Sequence, residues 1–157
     1  MPTPDFVLDL RRSIGTAPLW LSGVTAVILR GDEVLVARRA DNGRIAPIAG
    51  IIEPGEEPAV AAVREAFEET NVVIEVERLA WVHVLEPITY ENGDRSVYLD
   101  LTFRCRYVSG DPHPNDGENT EVMWVHVDDL DSVGMTDDQR RRIDYALSAD
   151  EAAHFER

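Results

Sequence analysis

Basic residues are scarce in this chain: 15 arginines and lysines face 30 aspartates and glutamates, for a formal net charge of −15. A field of that sign repels nucleic acid polymers and anionic membrane surfaces. If the ligand is itself an anion, a cation must mediate, and a divalent metal is the natural choice. Cysteine is nearly absent. Cys105 stands alone in the strand-like run from Tyr98, which excludes an intramolecular disulfide and leaves it without a companion at metal-ligand spacing. A buried thiol acting as a small hydrophobe is the expectation, in preference to a nucleophile. Long apolar runs are missing too. The opening MPTPDFVLDLRRS carries acidic residues and no signal-like stretch, and nothing later approaches a membrane span, so the cytoplasm is the expected compartment. With no repeat, low-complexity tract or linker, 157 residues suit one domain spanning 1–157, long enough for a sizeable core.

What is present reads as alternating strands and helices. Phe6, Val7, Leu10 and Ile14 recur at helical spacing and predict an amphipathic helix at about 4–15, able to pack on the body or on a second subunit. Gly23–Leu29 and Glu33–Ala37 are strand-like and flank a hairpin turn at Arg30-Gly31-Asp32. Val72–Leu85, Ser96–Val108 and Val122–Val127 read as further strands, and Gly110–Asn119 as a polar loop. Thr136 and Gln139 form a capping-box pattern before Ile143, Ala146 and Leu147, which predicts a C-terminal helix at about 137–149. Strands grouped around a central helix imply an α/β sandwich.

That central helix carries the chemistry. Six glutamates fall within the 17 residues from Glu53 to Glu69. Pro58 suits a first helical turn. At about 100° per residue, Val60, Val63 and Phe67 share one face, expected to be buried, while Glu65, Glu68 and Glu69 gather within an arc of about 100° on the other. Three carboxylates in one turn repel each other, and only Arg64 offsets them locally. Such a face is either solvated or a site for a hard cation that prefers oxygen ligands.

The spacing decides between these. Gly50, Glu56, Arg64-Glu65, Ala66, Glu68-Glu69 and Val72 resemble the signature of the Nudix hydrolase superfamily at every defined position but one, where Asn71 replaces a glycine. Asparagine is the next most tolerant residue for the left-handed turn that glycine serves after a helix. The resemblance implies a Nudix fold, a mixed β-sheet between helices (α/β/α), and a metal-dependent pyrophosphohydrolase. Such enzymes cleave a nucleoside diphosphate linked to another moiety, with Mg²⁺ or Mn²⁺ and water attack at phosphorus. By position it implies Glu65 and Glu69 as principal metal ligands, Glu68 as a ligand or supporting contact, Gly50 as a carbonyl ligand, Arg64 as the orienting arginine and Glu56 as a structural glutamate. It also implies a further acid from a later loop, as ligand or general base, for which Glu118 and Glu121 are the candidates.

Arg39 and Arg44, with Arg38 nearby, stand where phosphates would approach, and arginine grips phosphate oxygens in bidentate fashion. Trp20, Trp81 and Tyr90 have faces for base stacking, though aromatics more often fill cores. The four histidines show no ligand spacing. Pro87 suits relatives acting on ADP-ribose and Tyr90 those acting on dinucleoside polyphosphates. The expected substrate is a small nucleotide, ADP-ribose or a nucleotide sugar. The alternatives are a nucleoside triphosphate or dinucleoside polyphosphate hydrolase, a non-catalytic nucleotide sensor, an isopentenyl diphosphate isomerase, for which Cys105 is poorly placed, and a purely structural acidic domain. A homodimer is common among such relatives.

Overall fold

The computed structural model describes residues 3–157. Its elements run α1 (Asp5–Ile14), β1 (Leu19–Arg30), β2 (Glu33–Arg39), β3 (Ile45–Ala46), β4 (Ile48–Ile51), α2 (Pro58–Thr70), β5 (Val72–Val84), β6 (Ile88–Thr89), β7 (Arg95–Gly110), β8 (Asn119–His126), a 3-10 turn (Val127–Ser132), α3 (Asp137–Leu147) and β9 (His154–Phe155). The sheet is mixed. Its main path is β3-β2-β1-β7-β5-β9, with β4 and β6 pairing β1 and β7 respectively, and β8 pairing β2. β1 and β7 run parallel from Leu19↔Ser96 to Leu29↔Arg106, so the long crossover between them must carry α2 over one face.

Strand alternation sorts side chains onto two faces. On one, Val24, Ala26, Ile28, Leu35, Phe103 and Cys105 meet the alanines of α2. On the other, Val27, Val34, Val36 and Ala80 meet Ile143 and Ala146 of α3 and Leu130 of the 3-10 turn. Layers of helix, sheet and helix follow, the Nudix architecture that the resemblance implies. Cys105 is wholly buried, its thiol pushed up to about 12 by burial and, less, by Glu77. α1 packs on the body through buried Val7, and its Arg11 donates to the carbonyls of Ala17 and Arg95 at 2.6 Å each.

The ends of α2 follow from single residues. Pro58 occupies the first turn, where a missing N–H costs nothing. Asn71 ends the helix in the left-handed conformation, φ 59° and ψ 28°, and donates its N–H to the Phe67 carbonyl at 2.9 Å. α3 starts at Thr136, whose hydroxyl accepts from the Gln139 N–H at 3.4 Å. The reciprocal half of the capping box is not closed: the Gln139 side-chain oxygen is buried without a hydrogen-bond partner.

One expectation is reversed. Val60, Val63 and Phe67 are exposed, whereas Ala61, Ala62, Glu65, Ala66, Glu69 and Thr70 are buried. The helix therefore turns its glutamates inward and its large apolar side chains outward. Close approach is the reason: only alanines let α2 lie this tightly on β1 and β4. The intruding carboxylates are accommodated by a bare glycine and by donors described below. Among the aromatics, Trp81 is core, but Trp20 and Tyr90 are exposed.

Candidate active site

Gly50 lies in β4, paired with Val24 of β1, directly beneath α2. A Cβ at this position would stand 2.0 Å from the Glu65 carboxyl carbon. Glycine is thus demanded by the carboxylate packed on its Cα, not by backbone conformation. Glu65 is 1% exposed.

Arg64 organises the surrounding acids. Its Nε and one terminal nitrogen take both Glu56 oxygens at 2.8 Å each, a bidentate pair. The second terminal nitrogen donates to Glu65 at 2.8 Å and Glu68 at 3.1 Å, and the Ile51 carbonyl accepts at 3.1 Å. The Glu56 carboxyl is accordingly held below its ordinary value by Arg64, and the Arg64 guanidinium above its own by Glu56 first and then Glu65. Glu65 moves the other way. Burial outweighs its arginine and pushes it up to about 7, while Glu68 adds repulsion.

A neutral amide serves Glu69. Asn119 Nδ2 donates to its Oε2 at 2.8 Å, and both side chains are buried. Burial pushes Glu69 up to about 8, with repulsion from Glu118 and Glu65 opposing the help from Asn119. The polar loop before β8 clamps this end of α2. Backbone N–H groups of His113 and Asn115 donate to the Thr70 and Glu69 carbonyls at 3.2 and 3.1 Å, and Asn115 Nδ2 donates to the Glu68 carbonyl at 3.1 Å. These bonds satisfy carbonyls that a helix C-terminus leaves open.

Of the two later acids, Glu118 comes to the site, close enough to raise Glu69 and to interact with Arg39. Glu121 does not. It pairs with Arg38 at 3.1 Å, in register with it across β2 and β8 and on the same strand face as Met123, which packs on the α3 side. Arg39 binds Asp41 in bidentate fashion at 2.9 and 3.0 Å. With Ala40, Asp41, Gly117 and Glu118 it lines an open pocket of about 390 Å³. Arg44 is exposed just beyond the turn, its carbonyl accepting from the Arg39 N–H at 2.9 Å. Asn119, Asn115 and Asp41 were not among the sequence candidates. Asn119 adjoins Glu118, but a short polar residue in a loop gives no signal of burial.

The donors here are carboxylate oxygens, the set that suits a hard divalent cation. Glu65 Oε2 is buried with no hydrogen-bond partner, and a cation would supply what it lacks. By this test the residues fit a metal. In the present arrangement, among the described residues, no three acidic, histidine or cysteine side chains converge as one ligand cluster, and Glu68 bonds Arg64.

Comparison with known proteins gives the family to which this chain, its helix carrying these acids over a mixed sheet, belongs. Residues 20–146 match the NUDIX domain. The chain belongs to the Nudix hydrolases, which act on pyrophosphate bonds and generally use divalent metal ions. A MutT-like protein of Streptomyces ambofaciens is 36% identical over 114 residues, 72% of this chain and 68% of the relative. The NAD-capped RNA hydrolase NudC of Pseudomonas aeruginosa is 37% identical over 106 residues; the match takes in 66% of this chain but only 35% of that protein. A Nudix hydrolase structure from Nitrosomonas europaea superimposes with a TM-score of 0.65 at 27% identity, covering 81% of this chain and 88% of that one. No helix among the described residues is long and apolar enough to cross a membrane.

Proposed function

We propose that the protein hydrolyses the pyrophosphate bond of a small nucleoside diphosphate derivative, ADP-ribose or a nucleotide sugar, with Mg²⁺ or Mn²⁺ as cofactor. The observation that carries this reading is the buried carboxylate of Glu65, one oxygen without a donor, beside a second buried carboxylate at Glu69. Glu65 and Glu69 would hold the metal, with Glu68 and the Gly50 carbonyl as further oxygen ligands. When bound, the metal polarises phosphorus and activates water. Arg64 keeps Glu56 and Glu65 in place. Glu118, beside Glu69 on the loop, accepts the proton of the attacking water. Arg39, with Arg44 near it, draws the substrate phosphates into the open pocket. A small nucleotide is favoured over a capped RNA because the net charge of −15 opposes a polyanion.

The test is nucleotide or phosphate release from a panel of ADP-ribose, nucleotide sugars, NAD, dinucleoside polyphosphates, nucleoside triphosphates and capped RNA, with Mg²⁺ and with chelator. Metal-dependent cleavage of the first two classes, abolished by Glu69→Gln, is the expected result. Preference for capped RNA overturns the substrate assignment, and binding without turnover across the panel overturns the hydrolytic one.

A further inference from the structure

Asn119 reaches Glu69 through a fault in the sheet. β2 and β8 pair in antiparallel register from Glu33↔His126 to Arg38↔Glu121, and the next pair is Arg39↔Asn119, with Thr120 passed over. Without this bulge, alternation would put Thr120 opposite Arg39. Bulges of this kind re-aim a side chain at the edge of a site. Here the bulge sets Asn119, buried at 6% exposure, on the α2 side of the sheet, where its amide donates to Glu69 Oε2 at 2.8 Å.

The choice of partner matters as much as the contact. Arg64 spends its donors on Glu56, Glu65, Glu68 and the Ile51 carbonyl. An arginine at position 119 would fix Glu69 equally well but would neutralise it. An amide fixes the carboxyl group without bringing a positive charge that would compete with a cation.

We propose that Asn119 is a positioning residue for metal binding, one that orients Glu69 through a neutral donor and so sets the affinity of the site for a divalent ion. The inference rests on the reading of Glu69 as a metal carboxylate. Groups that orient metal ligands from behind typically contribute 10- to 100-fold in affinity, and Asn119→Leu, of the same branching but bulkier and without the donor, is expected to weaken Mn²⁺ binding by about that factor.

The experiment is Mn²⁺ titration followed by electron paramagnetic resonance of the free ion, on wild type, Asn119→Leu, Glu69→Gln and the double variant. Asn115→Ala serves as a control that loosens the loop without touching a carboxylate. Support is a loss of affinity in Asn119→Leu that is absent in Asn115→Ala and adds nothing once Glu69 is Gln. Asn119→Ala, which introduces no new bulk, replaces the leucine variant if that protein does not fold. Binding lost in Glu69→Gln but unchanged in the Asn119 variants overturns this inference alone, as does an equal loss in Asn115→Ala or a loss that persists in the Gln background. Absence of Mn²⁺ binding by wild type, or undiminished affinity in Glu69→Gln, overturns the metal-site reading and this inference with it.

Discussion

Replacing Gly50 by alanine tests the packing at the heart of the site. The added methyl would stand 2.0 Å from the Glu65 carboxyl carbon, 2.1 Å from its oxygen and 2.5 Å from its Cγ, where ordinary contact begins near 3.4 Å. Glu65 must therefore withdraw by about 1.4 Å, which parts its 2.8 Å bond to Arg64. A charge-assisted hydrogen bond contributes about 1.5–3 kcal/mol, and forcing bulk into a packed interior costs about 1–3 kcal/mol. The two overlap, since moving the carboxylate relieves the clash. Alanine also lowers the entropy of the unfolded chain, which returns about 0.4–1 kcal/mol. The net expectation is a loss of about 2–3 kcal/mol, and for a chain of this size a fall in Tm of about 4–12 °C. Urea unfolding of metal-free protein measures it. The decisive control is Glu65→Ala, whose side chain ends before the clash. In that background Gly50→Ala is expected to cost less than about 0.5 kcal/mol. A small loss in the wild-type background, or the same loss in both, refutes the steric account of Gly50.

Mg²⁺ or Mn²⁺ at about 100 times its Kd is expected to stabilise the protein by about 2.7 kcal/mol; a thermal shift seen in wild type and absent in Glu69→Gln confirms the site, and no shift across a wide titration refutes it. Phe67→Ser and Val60→Ser, on the exposed side of α2, are expected to change urea stability by no more than about 0.5 kcal/mol. Ala66→Leu, at a position wholly buried against the sheet, is expected to cost about 1–3 kcal/mol; the reverse order would restore the apolar-face reading. Cys105, pushed up to about 12 from 9.0, keeps its proton longer in the folded than in the unfolded chain. Its contribution to stability is therefore complete below pH 9 and declines as pH rises from there towards 12. Native protein at pH 8 is expected not to react with a disulfide reagent that labels the unfolded chain, and a steeper loss of Tm above pH 9 in wild type than in Cys105→Ala is the matching readout.

The strands were legible because their β-branched runs and turn residues agree with the sheet that forms. The ends of α2 were legible from Pro58 and Asn71, whose backbone preferences match the conformations they adopt. The burial of α2 was not. A pattern argument assigns Val60, Val63 and Phe67 to the core because it weighs hydrophobicity alone, while the structure weighs how closely a helix can approach. Ala61, Ala62 and Ala66 were the missed signal, three small side chains on the glutamate side. Asn119 was hidden for another reason: period-two alternation from β8 points to Thr120, and the bulge that substitutes its neighbour leaves no mark in composition. The pairing of Glu121 with Arg38 follows from the same strand alternation and separates two acids only three residues apart.

Both faces of the sheet bury charge, and the balance differs in a way that bears on function. Under α3, Asp100 is 3% exposed and accepts from the hydroxyls of Thr25 and Thr102 at 2.9 and 2.8 Å. Arg142 donates to Thr25 at 2.7 Å and pairs with Asp138 at 2.9 Å, and His83 lies 3.5 Å from Asp138 and 3.9 Å from Asp100. Two carboxylates there meet one guanidinium and one imidazole, a cluster of mixed sign that fastens α3 to β1, β5 and β7. Under α2, Arg64 pairs with Glu56, Glu65 and Glu68, and Glu69 receives an amide. Charges buried in nearly balanced groups hold elements together; carboxyls that burial pushes up to about 7 at Glu65 and about 8 at Glu69 give up their protons when a divalent counter-ion arrives. On the proposed reading the acidity of α2 is half of a site, and the other half is a divalent cation.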